Sequence, residues 1–341
     1  MKIAIHHRPG SFSDRWIEYC KKNSIDYKIV NAYHNDIIEQ VGDCDAFMWH
    51  HKQSLFADTL FANQLIYALE TRGVKCFPDF HTTWHFDDKV GQKYLLEATN
   101  TPLVPSYVFY SKKAALKWVS KTTFPKVFKL RGGAGAVNVR LAHTEKEGRR
   151  LVKKAFGKGF PQYSFKEHLS EVLRKYREGR MSLFAALKSI GVYYLKPSKF
   201  DKLSSPERGY VYFQDFIPNN NYDIRVCVVD NKAFALKRMV RKGDFRASGS
   251  GNIVYDRNQI DERCVKIAFE TNDKLKTQSI AFDFVFDENN TPLIVEISYG
   301  YAVAAYDKCE GWWDREMNWH PGECFDFCGW MVEEVVNSIK K

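Results

Sequence analysis

The sequence predicts a globular protein that is α/β in its N-terminal part and α+β in the remainder. Two observations lead to this prediction. Apolar strand patterns alternate with helical patterns over residues 1–82, as in a parallel sheet with crossover helices. Residues 83–341 instead carry strand patterns joined by short turns, which indicate antiparallel hairpins. With 341 residues, the chain is long enough for two or three domains with well-formed cores.

The composition is that of a globular protein, with 45% hydrophobic and 15% aromatic residues. No apolar run approaches the roughly 18 residues that a membrane helix needs, so we expect no membrane span. The first residues predict a strand, because their apolar stretch is too short for a signal peptide. Eight cysteines occur without a Cys-x-x-Cys motif, which favours reduced thiols and a cytoplasmic location.

The formal net charge of +10 indicates an anionic partner. The chain has no basic low-complexity tail and no long run of Lys or Arg. We therefore expect anionic small molecules as substrates and no nucleic acid.

Residues 1–82 are predicted to form an open α/β unit. Its predicted elements are the strands Lys2–His7, Tyr27–Val30, Ala46–His51 and Lys75–Phe77 and the helices Phe12–Lys22 and Asp58–Arg72. Ligands bind such sheets beyond the carboxyl ends of the strands. The residues there that we consider as half of a substrate pocket are His6, His7, Arg8, His50 and His51. For each histidine taken alone, a position that only caps the end of a strand, without any role in binding, is at least as good an explanation.

Residues 83–215 carry features that suit phosphate binding. A predicted helix from Lys89 to Thr99 follows Asp87 and Asp88, which are good N-cap residues. A lysine in the first turn conflicts with the helix dipole, and a bound phosphate would remove that conflict. A glycine-rich loop follows Lys129, and its backbone N–H groups could close over phosphates. The glycines of this loop are Gly132, Gly133 and Gly135.

Residues 161–208 have the composition of a basic insertion with predicted helices at Phe165–Lys175 and Ser182–Ile190. The segment holds ten Lys or Arg against five Asp or Glu, so it contributes half of the net charge. We expect it to cover the active site or to bind an acidic partner. A solvated helical face is the plainer alternative.

A hairpin is predicted to turn at Asp230–Asn231 and to place Asp223 opposite Arg238. A cross-strand ion pair would explain both residues. The basic, glycine-rich loop that follows carries Arg246, and a helix is predicted over Asp261–Leu275.

A second hairpin, Phe282–Ser298, is predicted to turn at Asn289–Asn290, residues that tolerate positive φ. This turn would pair Asp283 with Glu296. It would likewise pair Phe286 with Leu293 and Phe284 with Val295. Strand alternation then gives an apolar face made of Phe282, Phe284, Phe286, Leu293, Val295 and Ile297.

The polar face of this hairpin would carry Asp283, Glu296 and Ser298. Like charges directly opposite each other in a sheet are destabilising. A divalent cation between them would relieve the repulsion, and hard oxygen ligands suit Mg²⁺ best. Two solvated carboxylates on an exposed sheet face are the alternative.

Taken in order, these motifs resemble the ATP-grasp superfamily, most closely carboxylate–amine ligases such as glutathione synthetase, D-alanine–D-alanine ligase and the ribosomal-protein glutamate ligases. The resemblance implies an ATP-grasp fold. A Rossmann-like N-terminal domain would span residues 1–82. A small ATP-grasp subdomain with its linker would span 83–215, and a C-terminal subdomain with the metal site would span 216–341. The last two would clasp ATP between them.

The resemblance also implies nucleotide contacts. Lys89 and Lys129 match the lysines that contact phosphates, and Gly132 to Gly135 match the loop that closes over them. Asp223 matches an acidic residue near the ribose. The strand that holds adenine is matched by Gln214, Asp215, Phe216 and Ile217.

At the reacting end, Arg246 matches the arginine that meets the transferred phosphoryl group, and Arg225 is a candidate substrate contact. Asp283 and Glu296 match the Mg²⁺ ligands. Ser298 stands where the family usually has asparagine, so it is a shorter neutral oxygen ligand and leaves a second Mg²⁺ in doubt.

The resemblance implies an ATP- and Mg²⁺-dependent ligase that joins a small-molecule carboxylate to an amine through an acyl phosphate. A uronic acid or another anionic metabolite of surface-polysaccharide synthesis is one candidate acid, and a homodimer is one candidate assembly. The alternatives are an ATP-grasp phosphotransferase that acts on an anionic small molecule, and a non-catalytic nucleotide- or RNA-binding module.

Overall fold

The structure is a computed structural model, and the residues that it describes form three β-sheets. It describes residues 1–132, 138–161, 169, 172–173, 176–177, 179, 181–195, 203–241, 244–322 and 325–340. Gly133, Gly135 and much of the predicted insertion therefore lie outside the described residues. Among the described residues, no helix combines the length and apolarity that a bilayer crossing requires.

The first sheet is parallel, with strand order β2-β1-β3-β4, and confirms the predicted α/β unit. Its elements are β1 (Lys2–His6), α1 (Phe12–Lys22), β2 (Asp26–Val30), α2 (Ile37–Gln40), β3 (Ala46–Trp49), α3 (Phe56–Thr71) and β4 (Lys75–Phe77). Every residue of β3 is buried, as expected for a central parallel strand. This strand ends at Trp49. His50 and His51 were predicted to belong to the strand, and the structure corrects this by placing them in the loop after it.

The second sheet is small and antiparallel, with order β5-β8-β6-β7. The elements of this part are α4 (Phe80–Thr83), α5 (Lys89–Ala98), β5 (Ser106–Phe109), α6 (Lys112–Val119), β6 (Lys126–Lys129), β7 (Val139–Ala142), α7 (Glu145–Ala155), α8 (Leu183–Leu195) and β8 (Val211–Asp215). A core that includes Phe128, Phe160 and Phe213 joins the sheet to α6 and α7. The predicted N-cap of α5 is confirmed, because the Asp88 carboxylate accepts from the backbone N–H groups of Val90 and Gly91.

The third sheet is the largest and is antiparallel, with order β13-β12-β9-β10-β14-β15 and β11 beside β10. Its elements are β9 (Tyr222–Val229), β10 (Lys232–Met239), β11 (Ile253–Val254), a 3₁₀ turn (Arg257–Gln259), α9 (Glu262–Leu275), β12 (Ser279–Phe286), β13 (Pro292–Ser298), a second 3₁₀ turn (Val303–Ala305), β14 (Gly311–Asp314), β15 (Trp319–Pro321) and α10 (Phe327–Lys340). The predicted register of the β9–β10 hairpin is confirmed, since Asp223 faces Arg238.

The β12–β13 hairpin follows the prediction at one end only. Asp283 pairs with Glu296, but a β-bulge then shifts the register, so that Phe284 pairs with Ile294. The predicted pairs of Phe284 with Val295 and of Phe286 with Leu293 are therefore wrong. Asn290 has a φ of 58° in a turn longer than the predicted two residues.

The bulge also changes which residues enter the core. Ile294 is buried with Phe282 and Phe284, whereas Val295 lines a cavity together with Glu296. Strict alternation had assigned Val295 to the core. An extra residue on one strand places two successive side chains toward the same side, which is a common function of bulges beside binding sites.

The C-terminal helix α10 returns to the N-terminal sheet. Met331, Val332 and Val335 of α10 share a buried cluster with Ile3 and Trp16. In addition, the Tyr19 hydroxyl donates to Glu333 at 2.7 Å. The first and third sheets are thus joined through a shared apolar core.

Candidate active site

A large cavity lies between the second and third sheets and reaches the N-terminal unit at Gln53. It brings together twelve of the predicted site residues from segments that are far apart in the chain. These are Lys89, Lys129, Gln214, Asp215, Phe216, Ile217, Asp223, Arg225, Arg246, Asp283, Glu296 and Ser298.

One end of the cavity is apolar. Val104 and Val127 contribute from the small sheet, and Val285 and Val295 from the β12–β13 hairpin. The chain segment that leaves β8 at Phe216 and Ile217 runs along this end. Such a slot between two sheets suits a flat aromatic group with a polar edge.

Two predicted nucleotide residues have structural hydrogen bonds within this slot. The Gln214 amide is buried and donates to Ser106 Oγ at 3.1 Å and to the carbonyl of Val295 at 3.3 Å, which links the two sheets. The Asp215 carboxylate accepts from Lys126 Nζ at 2.5 Å. These contacts fix the side chains on either side of the slot.

Lys89 and Lys129 are buried side chains that line the cavity. Lys89 Nζ lies 3.2 Å from Glu296 Oε1 and 3.7 Å from Asp87 Oδ1. Burial alone would lower the pKa of Lys89, but these two carboxylates outweigh it and raise the pKa. The predicted conflict between Lys89 and the helix dipole is therefore offset by side chains of the protein itself.

Lys129 has the opposite electrostatic balance. Burial lowers its pKa to about 8, Glu296 opposes the shift, and the positive charge of Lys89 reinforces it. Among the described residues, no carboxylate oxygen lies within ion-pair distance of Lys129 Nζ. An incoming anion would stabilise the protonated amine at this position.

Asp283 is held by two arginines. Arg225 donates to both carboxylate oxygens, with Nε–Oδ1 at 2.5 Å and Nη2–Oδ2 at 2.6 Å. Arg238 Nη2 lies 2.9 Å from Asp283 Oδ2 and also donates to Asp223. Burial would raise the pKa of Asp283, but the two guanidinium groups hold it well below its usual range.

These contacts correct one step of the sequence argument. Asp283 and Glu296 do face each other, but Arg225 and Lys89 already compensate the repulsion between them. The pairing of the two carboxylates therefore does not by itself require a divalent cation. The predicted ion pair of Asp223 with Arg238 is present, so Asp223 as a ribose contact stays a prediction.

The residues present still fit a Mg²⁺ ion by their chemistry. Glu296 lines the cavity with a partly exposed side chain, and Asp283 and Ser298 offer further oxygens on adjoining strands. Carboxylate and hydroxyl oxygens are ligands that Mg²⁺ accepts while keeping other positions for water or phosphate. An ion at Asp283 would share that carboxylate with Arg225. The Ser298 hydroxyl donates to the carbonyl of Gly300 at 3.0 Å.

Arg246 enters the cavity on the loop after β10. Its guanidinium is clasped by Asp244, with Nη2 at 2.6 Å from Oδ2, and the same carboxylate accepts from the backbone N–H of Phe245. Arg241 is buried and donates to the carbonyl of Ser248 at 2.7 Å, which closes the loop on itself. The loop therefore presents Arg246 in a defined position.

The N-terminal histidines have mainly structural contacts. His50 Nδ1 accepts from the backbone N–H of Phe12 at 3.1 Å, and its ring stacks on the Phe12 ring with centroids 3.8 Å apart. His51 Nε2 lies 2.5 Å from Thr83 Oγ1, and burial lowers the pKa of His51 to about 3. Neither lines the large cavity.

His7 and Arg8 lie at a second, open cavity that also contains Tyr33 and His34. Arg8 Nη2 donates to the carbonyl of His50 at 3.1 Å. The structure does not bring these predicted substrate residues to the large cavity. Their role as substrate contacts, and that of His50 and His51, stays a prediction.

Gly132 directly follows Arg131, whose backbone N–H donates to the Tyr210 hydroxyl. It is described but does not line the large cavity. Gly133 and Gly135 lie outside the described residues. The predicted phosphate loop therefore stays a prediction.

Sequence reasoning missed several residues of the site. Asp87 lines the cavity and has a φ of 53°, an unusual backbone conformation for a residue other than glycine. Gln53 and Phe86 also line the cavity, and the Phe86 ring packs against Gly300. The pair Asp87–Asp88 was visible in the sequence, but only as a helix cap. No local signal indicates that Gln53 reaches a distant pocket.

Comparison with known proteins places this geometry in a fold family. Residues 190–311 match the family model described as a RimK-like ATP-grasp domain. No functionally curated protein matches the sequence significantly.

Solved structures match over the full length of the chain. The RimK domain protein ATP-grasp from Sphaerobacter thermophilus is 13% identical with a TM-score of 0.57, over 98% of this chain and 100% of that one. D-cycloserine synthetase DcsG is 11% identical with a TM-score of 0.61, over 99% and 100%. D-alanine–D-alanine ligase from Bacillus anthracis, complexed with ATP, is 12% identical with a TM-score of 0.55, over 100% and 98%. The chain therefore has the ATP-grasp fold, and its residues 190–311 are similar to a RimK-like ATP-grasp domain.

Proposed function

We propose that the protein is an ATP-dependent carboxylate–amine ligase that forms an amide through an acyl phosphate. One observation carries the proposal. The cavity combines an apolar slot with a cluster of cations and carboxylates that includes Lys89, Lys129, Arg246, Asp283 and Glu296. This combination suits a nucleotide whose phosphates must be neutralised and positioned.

Binding of ATP would place the adenine in the slot beside Phe216 and Ile217. The triphosphate would then run toward Lys89 and Lys129. Lys129 is suited to this role because its depressed pKa rises when an anion replaces water beside it. Bound Mg²⁺, held by Glu296 and Asp283 with Ser298 nearby, would supply charge neutralisation to the phosphate oxygens.

Transfer of the γ-phosphoryl group to a carboxylate needs little covalent chemistry from the protein. Arg246 and Arg225 line the cavity and offer donors for the carboxylate and for the charge that develops on the phosphoryl oxygens. The neutral amine then attacks the acyl carbon, the bond between that carbon and the phosphate oxygen breaks, and phosphate leaves with the proton that the amine nitrogen loses.

The substrate acid is proposed to be a small anionic metabolite, with a uronic acid of surface-polysaccharide synthesis as one candidate. The support is that four cationic side chains, those of Lys89, Lys129, Arg225 and Arg246, line the cavity. The amine is proposed to enter past Gln53 and Phe86, which border the cavity on the side of the N-terminal unit.

The first test is thermal unfolding with Mg-ATP, Mg-ADP and Mg-GTP, for the wild type and for Glu296→Ala. A ligand that binds only the native state raises the melting temperature. We expect adenine nucleotides to stabilise the wild type and the Mg²⁺-dependent part to vanish in the variant. Failure of every nucleotide to shift the wild type would overturn the proposal.

A screen of acids and amines for ADP release then tests the reaction itself. The ligase predicts ADP formation that requires both substrates. A phosphotransferase is the second candidate, because the same cation cluster also suits a polyanionic acceptor. It predicts ADP formation without any amine, together with a stable phosphorylated product.

A further inference from the structure

An open cavity on the N-terminal sheet has no role in the proposed function. It lies where β1 and β2 end, and its volume is about 520 Å³. Its lining residues are His6, His7, Arg8, Pro9, Ile29, Val30, Asn31, Tyr33, His34 and Gln40, and none of them lines the large cavity. Open α/β sheets bind ligands beyond the carboxyl ends of their strands, so this position suits a binding site. We call it the N-terminal cavity.

The lining of the N-terminal cavity contains an arginine and three histidines but neither Asp nor Glu. Arg8 Nη2 donates to the carbonyl of His50, whereas Arg8 Nε is buried and has no hydrogen-bond partner. Within the part of the chain that the structure describes, Arg8 forms no ion pair with a carboxylate. A buried donor without an acceptor costs free energy, and an incoming anion would supply the acceptor.

The carboxylates near this cavity already have donors of their own. Asp58 is buried, and its two oxygens accept from the Tyr33 hydroxyl at 2.5 Å and from the backbone N–H of Lys52 at 2.7 Å. Asp14 accepts from a backbone N–H at 2.7 Å and lies 3.6 Å from His7 Nδ1. These carboxylates therefore leave the charge of Arg8 without a direct partner.

The amide side chains of the cavity use their acceptor oxygens within the protein. Asn31 Oδ1 accepts from the backbone N–H of Tyr33 at 3.1 Å, and Gln40 Oε1 accepts from the backbone N–H of Asn31 at 3.3 Å. Gln40 Nε2 donates to His34 Nδ1 at 3.2 Å, which leaves the proton of the neutral imidazole on Nε2. The polar atoms that remain for a ligand are thus N–H groups, those of Asn31 Nδ2 and His34 Nε2.

The electrostatic potential beside the cavity is positive. Burial, and after it the charge of Arg8, lower the pKa of Lys52, whereas Asp58 opposes the shift. A cation whose pKa is lowered by a neighbouring cation lies in a positive potential, and an anion placed there would stabilise both charges. Donors and charge therefore favour the same kind of ligand.

We propose that the N-terminal cavity binds the oxyanion of a small metabolite, a phosphate or a carboxylate, at a site separate from the large cavity. The planar fork of the Arg8 guanidinium can donate to two oxygens of such a group. Asn31 and His34 would add N–H donors. Tyr33 and Ile29, which are 44% and 53% exposed, would contact the remainder of the ligand.

The test is thermal unfolding of the full chain with increasing inorganic phosphate and, separately, succinate, while NaCl keeps the ionic strength constant. A ligand that binds the native state raises the melting temperature according to its dissociation constant. We expect a saturable rise with at least one probe, and the lower half-saturating concentration identifies the preferred oxyanion. Absence of a saturable rise with both probes would overturn the proposal.

Two variants test whether the N-terminal cavity is the site. Asn31→Asp keeps the acceptor for the N–H of Tyr33 and places a negative charge in the cavity, and Arg8→Gln removes the guanidinium. We expect each to raise the half-saturating concentration about tenfold or more. The matched control is Arg72→Gln, because Arg72 also donates to a backbone carbonyl, that of Ile38, but lines neither cavity. It should leave binding unchanged.

A third variant separates the two cavities. Lys129→Met alters the large cavity and should leave the half-saturating concentration unchanged. Loss of binding in Lys129→Met but not in Arg8→Gln would assign the probe to the large cavity and overturn the proposal. If Arg8→Gln does not fold, the isosteric Asn31→Asp decides alone. No nucleotide is present in these experiments, so their failure is distinguishable from failure of the ligase proposal.

Discussion

The N-terminal sheet edge and the β12–β13 hairpin both carry polar residues that the sequence suggested for a site, yet the structure uses them differently. At the hairpin, Asp283 and Glu296 keep their predicted pairing and face a cavity. At the sheet edge, His50 and His51 are buried beside Phe12 and Thr83 and do not line that cavity. Strand alternation fixes a side-chain direction, whereas a position just beyond a strand end does not.

The two regions also differ in how they accommodate buried ionisable side chains. The hairpin site keeps charged groups buried by pairing them, as Arg225 does with Asp283. The sheet edge keeps its histidines neutral, because burial lowers the pKa of His6 to about 4. A histidine pKa that is lowered by burial reflects packing. A shifted pKa alone is therefore a weak guide to function.

Among the changes that test this comparison, removal of Asp283 should lower the free energy of unfolding most. Asp283→Ala leaves Arg225 and Arg238 buried with one carboxylate fewer. We expect a loss of about 3–5 kcal/mol in the free energy of unfolding, measured by urea denaturation. The double variant Asp283→Ala, Arg225→Met should recover part of it. A loss below about 1 kcal/mol would show that the arginines find other partners.

Lys129 should couple nucleotide binding to pH. Its pKa of about 8 means that the amine loses its proton in the free protein as the pH rises through 8, so affinity for an anionic nucleotide should fall there. Lys129→Met should weaken Mg-ATP binding by about 1.5–3 kcal/mol at pH 7 and remove this pH dependence. Calorimetric titration at pH 7 and pH 9 measures both. A wild-type affinity that stays constant over this range would contradict the assignment.

Lys129 should also make the stability of the free protein depend on pH. Its contribution to stability should rise with pH, whereas the affinity for nucleotide should fall. The unfolded chain holds this proton up to pH 10.5, whereas the native state releases it near pH 8. Between these values the unfolded state binds more protons, so the contribution of Lys129 to stability rises with pH. The measurement is urea unfolding of wild type and Lys129→Met across this window.

The histidines of the sheet edge should make the protein sensitive to acid. The native pKa of His6 is about 4, whereas an unperturbed histidine titrates near 6.5. The unfolded state therefore binds more protons between these values, and stability should fall as the pH drops from 6.5 to 4. We expect His6 to contribute on the order of 3 kcal/mol.

His6→Gln tests this account, because it can retain an acceptor for the backbone N–H of Ala32. The slope of unfolding free energy against pH should become shallower, while the Mg-ATP shift at pH 7.5 should not change. A change in nucleotide binding would instead connect this edge with the large cavity.

Ser298→Asn should have the smallest effect. The longer amide would replace the hydroxyl that donates to Gly300, and we expect stability to change by about 1 kcal/mol or less. If the position holds a metal ligand, the Mg²⁺ concentration that gives half of the ATP-dependent thermal shift should fall. An unchanged Mg²⁺ dependence would separate Ser298 from the metal site.

The sequence by itself determined the features that depend on local periodicity. The strand and helix alternation of residues 1–82, the turn at Asp230–Asn231 and the pairing of Asp283 with Glu296 all follow from patterns within a few residues. Such patterns are readable because strands alternate every two residues and tight turns require particular backbone angles.

Only the tertiary structure decided which groups meet. Arg225 on β9 and Lys89 on α5 compensate the carboxylates of a hairpin far away in the chain. The bulge that moved Val295 out of the core has no marker in the local pattern. These contacts depend on how three sheets pack together, and packing is a property of the whole chain that no local window contains.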